Sequence, residues 1–171
     1  MSETGFTESG NIVIKLGTDT YRGNYLKDLE ILEARLNEML MTQPAKYVFW
    51  ARMWAVQRVI HEKRKFDLEK YSAQIYTFIR NEKESAGEKV TEKIVEMAML
   101  RDTKYEEMKN AVMRERLRLD HLTAVRDAFS QRKDCLMSLS ANLREEYDST
   151  LALKEKQFAD ERLKRTMAKK E

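Results

Sequence analysis

The sequence predicts an all-α fold: an oligomeric bundle of long helices with a helical hairpin, preceded by a short irregular N-terminal segment. Three observations carry this expectation. The 171 residues include only 5 Gly and 1 Pro, too few turn-formers for a strand-rich chain. Charged residues make up 36%, against roughly 25% in an ordinary soluble domain, which fits long helices with solvated flanks. The stretch from Asp102 to about Leu153 lacks glycine and proline and repeats apolar residues at helical spacing. A helix of ~50 residues would reach roughly 75 Å, so its stripe requires cover from other long helices or from copies of itself. The chain divides into an irregular lead-in at 1–23, a helical core domain at 24–153 and a basic helix end or tail at 154–171.

The lead-in holds four of the five glycines. Within it Asn11 to Leu16 is a short β-prone run that can add as an edge strand to a neighbour or lie across a helix surface; a partly ordered tail that donates one apolar anchor is the expected form. A first amphipathic helix follows from about Asn24 to Met41, with Leu29, Leu32, Leu36, Met39 and Leu40 on one side. Gln43-Pro44 is expected to end it, because proline disfavours helix at the preceding residue and presets the start of the next.

The second helix is expected from about Ala45 to Asn81. Tyr47, Phe49, Trp50, Met53, Trp54, Val56, Val59 and Ile60 give it more apolar surface than one stripe needs, so it meets several neighbours. Trp50 and Trp54 lie one turn apart and read as core anchors, with base stacking as the alternative use of such rings. From His61 onward basic residues interleave with rings. Cations that follow phosphates and rings that stack on bases hold single strands without sequence preference. Lys63, Arg64, Lys65, Lys70, Tyr71 and Arg80 are therefore candidate nucleic-acid contacts. Glu62, Asp67 and Glu69 dilute the patch, and an ordinary solvated face is the competing interpretation.

Asn81 to Lys89 reads as a polar connection, Thr91 as the cap of a short helix and Asp102 as the cap of the long one. Along the long helix Leu119, Leu122, Val125, Phe129, Leu136, Leu139 and Leu143 are expected to form the seam that holds copies together. Arg114 and Arg118 share a face and suit ion pairs with nearby acids. Past Tyr147 the stripe thins to Leu151, Phe158 and Leu163, and the last residues are basic.

The net charge of +3 is too small to prove a polyanion partner by itself. Cys135 is the only cysteine, which excludes an intrachain disulfide and points to a reducing compartment. Met1 to Gly10 carries no signal-peptide core, and no apolar run approaches the ~18 residues of a membrane span. A cytoplasmic protein without membrane association is expected. Catalytic chemistry has no constellation to work with. His61 and His121 lie on different helices without metal-ligand spacing, and neither a Gly-rich phosphate loop nor a Gly-x-Ser-x-Gly turn is present. No enzyme, metal or cofactor is expected.

Leu119-Asp120, then Asp127-Ala128-Phe129, then Arg132, in a helical chain opened by the Tyr-x-x-Trp element of Tyr47 to Trp50, resemble the UvsY family of bacteriophage recombination mediators. The resemblance covers about Tyr47 to Arg144, with the connection around Asn81 to Thr91 differing. It implies a cytoplasmic homo-oligomer of an infected host that binds single-stranded DNA. Such proteins help a RecA-like recombinase displace single-strand-binding protein and load onto DNA. The family's basic contacts lie in the region of the second helix. Here the positions nearest its basic pair are Ala73 and Ile75, and Lys63, Arg64 and Lys65 carry charge slightly earlier. The competing class is a non-enzymatic structural or adaptor protein of a virion or complex, without DNA binding.

Overall fold

A computed structural model describes residues 5–16 and 18–167. It is mostly helical, with long helices and one small sheet. Three strands, β1 (Gly5–Phe6), β2 (Asn11–Leu16) and β3 (Asp19–Asn24), form an antiparallel meander in that order. Helix α1 (Tyr25–Leu29) and a single 3₁₀ turn (Glu33–Arg35) lead into α2 (Leu36–Ser85). Then come the short α3 (Glu92–Met99) and α4 (Thr103–Met167).

The sheet corrects the irregular lead-in expected at 1–23. Ile12 and Ile14 fall on one face of β2 by the two-residue period and are almost fully buried, each 1% exposed. β3, Asp-Thr-Tyr-Arg-Gly-Asn, carries little strand propensity of its own. It is held by full pairing with β2, from Asn11 opposite Asn24 to Leu16 opposite Asp19. Gly10 makes the turn before β2 at φ +80, and Gly23 lets β3 lie against the rings of Phe49 and Trp50, where a Cβ would come within 2.9 Å.

The first two helices also differ from expectation. α1 is one short turn beyond its cap, in which Asn24 accepts from the Lys27 N–H at 3.0 Å. Its last residue is followed by Glu30 at ψ 138, which ends it. Helix α2 then runs unbroken through Pro44, where a stop was expected. A mid-helix proline costs ~3 kcal/mol. Here both sides of it are tied down: before it Gln43 donates to the Phe129 carbonyl at 2.7 Å, and after it Trp50 is fully buried and donates to Asp28. At its other end α2 continues to Ser85, past the expected Asn81.

Asp102 caps α4 as expected, its carboxylate accepting from the Tyr105 N–H at 2.6 Å. The helix then persists beyond Leu153 to Met167, so most of the anticipated tail is helical; residues 168–171 lie outside those described. Helices α2 and α4 run antiparallel: Gln43 meets Phe129, Trp54 meets Thr123, Gln57 meets Glu115 and Tyr71 meets Asp102. Two apolar cores line this hairpin. One joins Ile12 and Ile14 to Trp50, Met53, Val56, Leu122, Val125 and Phe129. The other, at the α3 end, joins Ile75, Ile79, Val95 and Met99.

This pairing relocates the expected assembly seam. Leu122, Val125, Phe129 and Leu136 are 0–4% exposed within one chain. Leu119, Leu139 and Leu143 are half-buried. The stripe meets α2 and the sheet, because those elements supply the cover that copies were expected to supply.

Candidate nucleic-acid interface

The consecutive residues Lys63, Arg64 and Lys65 do not form one patch. Neighbours on a helix are ~100° apart, so the three point to different sides of α2, although all are exposed. Lys65 approaches Glu69 at 3.9 Å and Arg80 pairs with Glu84 at 2.8 Å. Tyr71 is half-buried: its hydroxyl donates to Asp102 at 3.0 Å and the Lys104 ammonium sits 4.6 Å from its ring centre. Burial first, and the Asp102 carboxylate second, push this hydroxyl above its ordinary pKa. The ring packs against the second apolar core of the hairpin, with one face covered by Lys104.

What the helix brings together is a different set. Arg52, Val59, Lys63, Phe66 and Lys70 recur at spacings of seven, four, three and four, which places them along the face of α2 turned away from α4. Phe66 is 64% exposed and Val59 56%. Lys63 and Lys70 flank Phe66 by one turn on either side. No Asp or Glu falls on this band between Met41 and Asn81: Glu62 and Glu69 lie on one flank, and the half-buried Asp67 on the other. The Arg52 guanidinium lies 5.4 Å from the Tyr21 ring centre, which extends the band toward the sheet. From Arg52 to Lys70 it runs ~27 Å.

Arg52 and Phe66 are candidates that counting basic residues along the sequence does not find. A helical projection of α2 shows them, because the signal lies in the seven-residue recurrence on the face opposite the tryptophans. Those tryptophans are structural. Trp50 is fully buried, stacks on Phe129 at 5.9 Å and donates its indole N–H to Asp28 at 3.1 Å. Trp54 is half-buried and donates to the Thr123 hydroxyl at 3.0 Å, with the Arg126 and Arg58 guanidinium groups 4.6 and 5.6 Å from its ring centre.

The α4 residues behind the family resemblance also act on the fold. Asp120 pairs with Arg116 and Asp127 with Arg126. Arg132, 3% exposed, donates to the carbonyls of Leu29 and Glu30 at 3.2 and 3.1 Å and to the Gln43 side chain. Burial pulls its pKa below the ordinary guanidinium value, with Asp28 pulling the other way.

Among the described residues no group of three His, Cys, Asp or Glu side chains stands together as a metal site, and no helix is long and apolar enough to cross a membrane. No family model matches this chain, and neither curated proteins nor solved structures give a match.

Proposed function

We propose that the chain is a recombination mediator: a homo-oligomer that binds single-stranded DNA along the outward face of α2. In this reading it assists loading of a RecA-like recombinase onto DNA covered by single-strand-binding protein, in the cytoplasm of a phage-infected cell. The observation that supports DNA binding is the acid-free band, where an exposed ring stands between two ammonium groups. Phosphates meet Arg52, Lys63 and Lys70, and a base stacks on Phe66. The mediator step itself rests on the resemblance in Leu119-Asp120, Asp127-Ala128-Phe129 and Arg132. No bond is made or broken. Each subunit contributes one weak patch, and linked patches gain avidity because later contacts are intramolecular.

Anisotropy titrations of a labelled single strand at several salt concentrations test this. Three cations per subunit give a slope of log K against log salt of about −2, from roughly −0.7 per phosphate. Absence of binding at low salt sinks the proposal. Met41 and Val48, exposed near the start of the same face, favour the second reading of a structural or adaptor protein whose partner is a protein surface. That reading expects oligomers with no DNA affinity in the same titration.

A further inference from the structure

One cation of the outward band on α2, Arg52, is held by a residue of another element. Its guanidinium carbon lies 5.4 Å from the centre of the Tyr21 ring, inside the ~6 Å reach of a cation–π contact. Its Nη2 also donates to the Tyr21 hydroxyl at 3.4 Å. The helix itself offers Arg52 no ion pair, because the residues one turn away, Val48, Phe49, Ala55 and Val56, are all uncharged. Tyr21 is fixed in its turn. It stands in β3 opposite the buried Ile14 and packs against the first apolar core. The core places the ring, and the ring carries the guanidinium.

We infer that Tyr21 is a positioning residue of the candidate interface, holding the Arg52 guanidinium in place for a phosphate before a strand arrives. This rests on the nucleic-acid reading. A long cationic side chain gives up rotamer freedom when it takes a phosphate, and one already laid on a ring gives up less. One N–H goes to the Tyr21 hydroxyl, and the remaining donors of the planar fork stay open to phosphate oxygens. Lysine has no such fork, and Lys63 and Lys70 lie ~17 and ~27 Å farther along α2, beyond the help of Tyr21. The meander is thereby a working part of the interface, presetting the end of the band nearest the sheet.

A double-mutant cycle on the full chain, read by anisotropy of a labelled oligothymidylate at several salt concentrations, tests this. Tyr21→Leu is expected to weaken binding about three- to fivefold. The salt slope stays as in the parent, since Arg52 still neutralises its phosphate. Tyr21→Phe keeps the ring and is expected to stay within about twofold of the parent. Arg52→Ala is expected to make the salt slope shallower by about 0.7, and in that background Tyr21→Leu changes affinity no further. A merely structural role for Tyr21 weakens binding whether or not Arg52 is present. A second readout needs no DNA: by ¹⁵N relaxation the Arg52 Nε–H is expected to be more ordered than that of the exposed Arg64, and to fall to the same level in Tyr21→Leu. No loss of affinity in Tyr21→Leu, an equal loss with and without Arg52, or an Arg52 Nε–H as mobile as that of Arg64 overturns the inference and leaves DNA binding standing. Absence of binding by the unmodified protein at low salt overturns the nucleic-acid reading, and the role of Tyr21 with it.

Discussion

Replacing Arg132 by methionine is expected to destabilise the fold by roughly 3 kcal/mol, the scale of a buried polar network losing its donor. For a chain of this size that corresponds to a fall in melting temperature of about 6–12 °C. Methionine restores the volume but none of the hydrogen bonds. The Leu29 and Glu30 carbonyls and the Gln43 amide oxygen all lose their guanidinium donor at once. Those acceptors belong to the end of α1 and to α2, so one side chain of α4 ties both to a helix 89 to 103 residues further along the chain. Thermal and urea melts followed by circular dichroism measure the effect. Arg116→Met, which breaks only an exposed pair with Asp120, serves as the comparison and is expected to stay within about 0.5 kcal/mol. A loss below about 1 kcal/mol for Arg132→Met means that water reaches the three acceptors and that the side chain is not the tie described.

The second large effect concerns binding. Converting Lys63, Phe66 and Lys70 together to alanine is expected to weaken single-strand binding by at least roughly 100-fold. A stacked base contributes about 1–3 kcal/mol, and each ammonium about 0.7 of salt slope. All three side chains are exposed, so the melting temperature is expected to stay within a few degrees of the parent. Lys65→Ala with Arg80→Ala removes the same formal charge as the two lysine changes. It takes away cations that already face Glu69 and Glu84 and is expected to change affinity only a few-fold. If the two variants lose affinity equally, binding follows net charge and not the band on α2.

How far the sequence reveals this molecule depends on the range of the forces involved. Asp102 is legible as the start of α4, because a cap works on amides three residues away. The helical stripe from Tyr105 to Tyr147 is legible for the same local reason. The identity of the stripe's partner is not legible, since an apolar face reads alike whether another helix of the same chain or a second copy covers it. Pro44 illustrates the opposite failure. Its local rule is sound, but Gln43 and Arg132 meet across 89 residues of sequence, and that tertiary anchoring keeps the helix whole. β3 is hidden because its pairing with β2 and the seat of Gly23 against Trp50 hold it, where composition alone reads as a loop. In the candidate interface the residue types were visible as basic and aromatic. Their sorting into an acid-free outward band and paired flanks depends on the helix's phase and on its neighbours.

The two apolar cores stand apart along the hairpin. Val56 closes one and Ile75 opens the other, 19 residues and ~28 Å apart along α2. Between them, Gln57 donates to Glu115, while its own amide oxygen and the His61 Nδ1 make no hydrogen bond. The hairpin is thus joined by two apolar cores, and the span between them is held by half-buried side chains and by the Gln57–Glu115 hydrogen bond. Lys63, Phe66 and Lys70 lie over that span. On the proposed reading, a strand held by these three side chains lies on α2 between the two cores and touches neither.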